Sequence, residues 1–359
     1  MTKAISLFVL LIVCISSIPA SSEVGTAVVF LTLAPGARAN GMGQAFVAVA
    51  DDATAAFYNP AGLALTCPGD DTLRCPSELF LMHSPWMPVF GLDDLYLEYF
   101  ALTHQVEGWG HFGLSANYLH VGDVTERDDQ GNELGEFKVY DLAFNLSYST
   151  KVTESMAVGG NLKYIRSQLH PDDGVGTDWA VDLGWLYRFG DHRIFGGIPG
   201  LSSIPGLNSF NTKSLRLGAS LSNWGPDIAY KDQSQADPLP RLLRLGFAYD
   251  LLNRPSIGRF LLSAEMNKVM VNWDQDGFAD EIRESKRSVG LEYTYSDNTI
   301  QVFLRGGYYY DREASNVPQG ATFGGGLRYN RFQFDFAFIE PPEELGTTYT
   351  KMYSLKVTI

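Results

Sequence analysis

The sequence predicts an all-β membrane protein: an antiparallel transmembrane β-barrel of about fourteen strands, preceded by a small N-terminal helical hatch or plug. Three observations carry this. From Leu95 to Ile359, apolar and polar residues alternate with period two, which sends each set to its own face of a sheet. The alternating runs last about 9–13 residues, enough to cross a bilayer at a tilt, whereas ordinary strands average about 5–6. The chain also opens with an export signal, and no later stretch holds the ~20 apolar residues a spanning helix needs.

Lys3 supplies the positive start of that signal, Ala4 to Ile18 its apolar core, and Ala20, Ser21 and Ser22 the small residues of a cleavage site. Residues 1–22 therefore read as a signal peptide, 23–76 as the hatch segment and 77–359 as the barrel. Val13 stands where a lipoprotein signal carries a small residue before its cysteine, so Cys14 is not expected to be lipidated. The 27 basic and 41 acidic residues give a formal charge of −14, and no basic stripe interrupts it. Such a chain will not track nucleic-acid phosphates or dock on anionic headgroups from outside. Cys67 and Cys75 enclose a short Pro- and Asp-rich loop. In an oxidising compartment a local disulfide is expected; the alternatives are two free thiols or a metal pair.

The alternation is plain in Tyr140, Leu142, Phe144, Leu146 and Tyr148, set against Asp141, Asn145, Ser147 and Ser149. It recurs in Trp179, Val181, Leu183 and Trp185, and in Phe332, Phe334, Phe336 and Phe338 opposite Gln333 and Asp335. A soluble sandwich would turn the apolar set inward. Strand length, signal and aromatic-ended apolar faces together favour the barrel. Strands are expected to begin near Ser77, Leu95, Trp109, Lys138, Glu154, Thr177, Lys213, Arg241, Gly258, Glu284, Thr299, Gln319, Phe332 and Tyr349.

An even-stranded barrel in the outer membrane keeps both termini periplasmic, with long loops outside and short turns inside. Long connections are expected at Val121–Phe137, Leu169–Gly176, Trp224–Pro240, Val271–Arg283, Asp311–Pro318 and Pro341–Thr348. Short ones fall at Val106–Gly108, Lys151–Thr153, Asp297–Asn298 and Asn330–Arg331. Gly190–Thr212 breaks the rule, being long where a short turn belongs. The inward set carries Asp141, Lys163, Asp182, Arg216, Arg244, Glu265, Glu292, Arg305, Arg328, Asp335 and Lys356. Scattered opposite charges imply a cross-linked, partly filled interior rather than an ion filter of one sign.

Ala34 to Thr66 is rich in Ala and Gly and lacks the alternation. Two short helices are expected, around Gly43–Ala50 and Asp52–Tyr58, with Asp51 or Asp52 capping the second and Asn59–Pro60 ending it. Arg38, Asp51 and Asp52 are the charges that would pair with the wall. A compact segment of this kind fits a plug inside the lumen; a periplasmic arm packed beneath the barrel is the alternative.

These residues resemble a known family. Gly36-Ala37-Arg38-Ala39-Asn40-Gly41-Met42-Gly43, then Ala50-Asp51-Asp52-Ala53, then Tyr58-Asn59-Pro60-Ala61-Gly62-Leu63 are similar to the PorV/PorQ family of outer-membrane proteins. Ser222 to Asp227 with Asp237 to Arg241, and Val121-Gly122-Asp123 with Gly131 and Tyr140-Asp141-Leu142, add to the resemblance. That family is similar in turn to the FadL fatty-acid channels, which have fourteen strands and a hatch with an Asn-Pro-Ala motif. Ile359 departs from the aromatic residue that ends many such barrels. The resemblance implies Arg38, Gly41, Gly43, Asp51, Asp52, Asn59, Pro60 and Ala61 as hatch residues. It also implies a part in type IX secretion, binding exported cargo proteins and passing them to the attachment machinery at the cell surface. The second function it implies is transport of hydrophobic small molecules such as long-chain fatty acids.

Chemistry-bearing motifs are few. Asp274, Asp276 and Asp280 around Gly277 have a spacing that can wrap oxygens round Ca²⁺, although the late Glu of a full EF-hand loop is missing; a solvated acidic turn is the alternative. His111 and His120 flank one strand and read as interfacial or lumen-wall residues rather than ligands. The sequence holds no nucleophile elbow, phosphate loop or zinc-protease motif, so no enzyme and no required cofactor are expected.

Overall fold

A computed structural model describes residues 25–65, 76–86, 94–190, 214–254, 257–270, 285–297, 299–311, 320–340 and 349–359. They form a closed antiparallel barrel of fourteen strands, each paired with its neighbours in sequence. The strands are β1 (Glu78–Pro85), β2 (Tyr96–Val106), β3 (Gly110–Arg127), β4 (Glu133–Thr153) and β5 (Met156–His170). Then come β6 (Gly174–Arg188), β7 (Leu215–Trp224), β8 (Leu242–Arg254), β9 (Gly258–Val269) and β10 (Lys286–Ser296). The last four are β11 (Ile300–Tyr310), β12 (Gly320–Tyr329), β13 (Phe332–Ile339) and β14 (Thr350–Thr358). β1 closes on β14 from Glu78↔Thr358 to His83↔Tyr353, so no strand edge faces lipid along the seam. No helix among the described residues is long and apolar enough to cross a membrane; the strands make the crossing.

The pleat sorts the side chains as the period-two pattern requires. Phe332, Phe334 and Phe336 are exposed on the outer face while Gln333 and Asp335 are buried inside. Twelve strands start within two residues of the expected positions. The other two are corrections: β4 begins at Glu133 rather than Lys138, and β6 at Gly174 rather than Thr177. The expected loops at Val121–Phe137 and Leu169–Gly176 are mostly strand. β3 and β4 continue to a tight turn in which Asp128 accepts hydrogen bonds from the backbone N–H groups of Gln130 and Asn132. Alternation fades there because both faces of the extended hairpin meet solvent, so neither side selects apolar residues.

Connections alternate between the two ends of the barrel. The turns after β2, β4, β8, β10 and β12 are short and lie at the end where Ile359 N–H donates to the carbonyl of Ser77. The long stretch between β6 and β7 falls at this same end, and its residues 191–213 lie outside the described residues. At the other end β7 stops early. Asn223 takes a left-handed backbone (φ 62°), Val181↔Trp224 is the last pair with β6, and the chain turns into the lumen. Ile228 and Leu239 of that turn are fully buried.

The hatch lies inside the barrel, which settles the plug against the periplasmic arm. It holds helices α1 (Ala37–Gly41) and α2 (Ala55–Tyr58) with 3₁₀ turns at Val29–Thr32 and Pro60–Leu65. The helix expected around Gly43–Ala50 is not there. Gly43 and Gln44 both have positive φ, and Gln44 N–H donates back to Ala39 C=O (2.8 Å), closing α1 with a Schellman-type bond. The second expectation holds in part: α2 starts at Ala55 with Thr54, not Asp51 or Asp52, at its N-cap; Asp52 accepts from the N–H of Thr54 just before the helix, and Asn59 leaves helical backbone at its end. Gly25 to Leu33 runs on the long-loop side of the hatch, where Ala27 N–H donates to Pro238 C=O (3.1 Å).

Candidate functional site: the hatch and the lumen wall

The hatch is seated by side chains that the pleat turns inward. Arg38, on α1, is the centre of the largest cluster. Its Nε and Nη2 donate in a bidentate pair to Glu292 on β10 (2.8 and 2.9 Å). Its Nη1 reaches Asp51 (2.5 Å) and Asp52 (3.1 Å). The sheet register extends the chain of charges: Glu292 and Arg305 are direct partners across β10 and β11, joined at 2.7 Å, and Arg305 continues to Asp335 on β13 at 2.7 Å. Gln333 completes the series by donating to Asp335 (2.8 Å). Burial by itself would pull Arg38 down and push Asp51 up. The opposing charges outweigh it, so Asp51 and Glu292 hold Arg38 well above its usual value, while Arg38 and Arg216 hold Asp51 well below the carboxylate range. All these ions are paired in a low-dielectric setting, where removal of one partner strands another.

Further anchors grip the hatch backbone. Glu265 on β9 accepts from the N–H groups of Phe46 and Val47 (both 2.8 Å) and faces Arg244 at 3.6 Å. Arg244 in turn lies over the rings of Phe57 and Tyr58 at 5.0 and 5.2 Å. Glu78 accepts from Ala53 N–H (3.1 Å) and pairs with Lys356 (3.4 Å). Asn161 on β5 donates to Ala56 C=O (2.7 Å) and to Asp182 (2.7 Å), which pairs with Lys163 (3.0 Å).

The Asn59-Pro60-Ala61 turn is the best-fitted part. Asn59 Nδ2 donates to the carbonyls of Val47 (2.8 Å) and Trp185 (3.0 Å), while its Oδ1 accepts from Ala61 N–H (3.2 Å). One side chain therefore ties the turn to the hatch and to β6. The wall makes room with Gly184, where a Cβ would collide with Asn59 Oδ1 and lie 2.8 Å from Pro60 Cδ. Gly43 has the converse need: its backbone is left-handed, and a Cβ would lie 2.7 Å from Val289 C=O and 2.8 Å from Tyr308 N. Gly41 sits tightly against the wall: a Cβ there would lie 3.3 Å from Gly324 Cα and 3.4 Å from Arg305 Cβ.

All eight expected hatch residues thus lie in one seated body. Nine of the eleven expected inward charges are buried, and Asp141 and Arg328 are half-buried. Residues whose bond to the hatch the sequence did not reveal are Glu78, Asn161, Ser149 and Ser220; the two hydroxyls donate to the hatch carbonyls of Ala61 and Tyr58. They are small polar residues at inward positions, and only the register shows which of them meet the hatch. His111 is buried on the inward row of β3, whereas His120 falls on the opposite row, paired with Tyr140 and 4.9 Å from the Tyr96 ring. The cysteines Cys67 and Cys75 and the aspartates Asp274, Asp276 and Asp280 lie outside the described residues, as does the signal peptide. Among the described residues no three His, Cys, Asp or Glu side chains are grouped to hold a metal.

Solved structures of the same architecture include transporters. The toluene transporter TbuX of Ralstonia pickettii aligns with a TM-score of 0.52 at 14% identity, covering 90% of this chain and 98% of that one. The toluene transporter TodX of Pseudomonas putida aligns at 0.50 and 11%, covering 90% and 96%. A FadL homologue of Pseudomonas aeruginosa aligns at 0.50 and 12%, covering 90% and 97%. At these identities the likeness concerns the fold alone. Among curated protein sequences none matches the chain. The family model for the type IX secretion system protein PorV matches residues 19–276, which include the whole hatch and the strands that supply Glu265, Asn161 and Asp182. This hatch-bearing barrel belongs to the PorV family.

Proposed function

We propose that this barrel acts in protein secretion: it binds cargo exported by a type IX system and carries it to the attachment machinery at the cell surface. In this reading it sits in the outer membrane with its short turns and C terminus in the periplasm, and its partners are lipid, cargo and components of the secretion complex. It is not an enzyme and needs no cofactor. Family membership supports the reading. The observation that carries it is the hatch itself, tied to β10 by the buried Arg38–Glu292 pair and to β9 and β1 by buried carboxylates that accept its backbone N–H groups. A hatch that must swing aside for every solute would be held less firmly. The β3–β4 hairpin projects at the long-loop end with both faces exposed, a surface suited to large partners. The test is deletion of the gene in its source organism, followed by surface proteomics and pull-down of a reporter fused to a C-terminal cargo signal. Cargo should fail to reach the surface, and the purified barrel should retain the reporter. Normal cargo display with no retention refutes the role.

One observation favours transport of hydrophobic small molecules, long-chain fatty acids included. β7 ends opposite Val181 while β6 continues to Gly174, so the wall is notched beside the lumen. Uptake of labelled fatty acid by a strain that lacks its own transporter separates this reading from the first.

A further inference from the structure

Beneath the hatch, at the short-turn end, lies a cavity of about 940 Å³ walled by strand ends and by the underside of the hatch. Its charge is unevenly matched. Arg188 on β6 and Arg216 on β7 are direct cross-strand partners on the inner face. Like charges in that relation repel, and here they do so with little solvent between them. Arg259 on β9 and Arg254 at the end of β8 line the same space.

The carboxylates available are committed. Asp250 is paired with Arg259 at 2.6 Å. Asp51 belongs to Arg38 and reaches Arg216 only at 3.7 Å. Arg188 has no carboxylate partner among the described residues: its Nη2 donates to Leu65 C=O at 3.3 Å, and its Nε is buried without an acceptor. The Arg216 side chain is 92% buried by its 8% exposure, and its Nε and Nη2 also lack acceptors. Two facing guanidiniums with unused donors thus stand at the wall of this cavity.

We infer that Arg188 and Arg216 form a binding site for an oxyanion-bearing solute, a phosphate ester or a carboxylate, that enters from the short-turn end. The planar forks of two arginines suit the paired oxygens of either group. An anion between them would turn a mutual repulsion into two charge-assisted contacts. The volume admits a ligand well beyond a bare oxyanion, so the anionic group serves as the anchor of a larger molecule.

The test uses the full-length mature protein in zwitterionic detergent, with pyrophosphate and citrate as separate probes at constant ionic strength. Calorimetry should show saturable binding of at least one probe; the stronger of the two identifies the phosphate or carboxylate source. Arg188→Gln and Arg216→Gln should each weaken binding at least tenfold. Because Arg216 is deeply buried and its variant can lose structure, Arg188→Gln carries a second readout. Relief of the repulsion should leave its anion-free thermal midpoint equal to or above that of the parent, and added anion should no longer raise it. Absence of saturable binding, binding indifferent to both substitutions, or a lowered anion-free midpoint of Arg188→Gln would each overturn the site. The last outcome would mean that Arg188 already has a carboxylate of its own.

Discussion

Arg38 shows how much of the site one side chain decides. Its charge faces Asp51, Asp52 and Glu292 at once, and Glu292 shares it with Arg305. Replacement by Met keeps the stem that packs near Phe46 but leaves three carboxylates with one fewer cation. Breaking a buried pair from one side costs about 3–5 kcal/mol. Arg38→Met should therefore loosen the hatch far more than the barrel wall, seen as lost hydrogen-exchange protection at Ala39 to Ala53 with the strand amides still protected. The same cluster predicts an acid response. Asp51 is held below its unfolded carboxylate value, so its contribution is complete above about pH 4 and falls as the pH drops towards its folded value. Hatch protection should decline below about pH 4 and return on neutralisation. The charge of Arg38 was legible in the sequence, as was the inward position of Glu292. Their meeting was not, because 254 residues separate them and only the closed sheet brings the two together.

At the scale of elements, the strands were readable wherever one face meets an apolar solvent. The lipid-facing Phe332, Phe334 and Phe336 advertise β13, while the upper β3–β4 hairpin, wet on both sides, does not. The hatch misled for another reason. Ala and Gly give no periodicity, and the backbone there is set by wall contacts such as Gly43 N–H to Thr322 Oγ1 (3.0 Å). Two connections carry their own predictions. The sequence between β9 and β10 carries Asp274, Asp276 and Asp280 on either side of Gly277, and we propose that they bind calcium, since carboxylates brought together repel unless a cation screens them. Calorimetry with millimolar calcium should give a saturable heat that Asp276→Asn with Asp280→Asn abolishes; no heat from the parent refutes the site. The link between hatch and β1 contains Cys67 and Cys75. A disulfide there would restrain a short loop and contribute about 2–3 kcal/mol. Thiol labelling of the unreduced, denatured mature chain should find neither cysteine reactive, and two labels per chain would show that they are free.

For the whole molecule the deciding property is whether the lumen conducts. A fourteen-stranded barrel encloses more space than its own wall side chains fill, and here the hatch occupies it. Ala37, Phe46, Tyr58, Ala61 and Leu63 are fully buried there, and the polar groups of the hatch bond to wall atoms on every side from β1 to β14. Opening a path requires many of these contacts to break together, because the hatch is short and its anchors share ions. In planar bilayers the intact protein should therefore show only rare, brief current steps. A variant lacking Gly36–Leu63 keeps the strand ladder, to which the hatch adds no strand, but leaves Glu265, Glu292 and Arg305 along an open lumen. It should insert as a barrel and conduct steadily, with its current sensitive to salt because the exposed wall is charged. The same contrast weighs the two functions. A carrier of proteins gains from a sealed lumen, since leakage across the outer membrane would accompany every copy. A transporter needs a hatch that yields to its solute. Large steady conductance from the intact protein, or fatty-acid uptake restored in a strain without its own transporter, would decide for transport and against the secretion role.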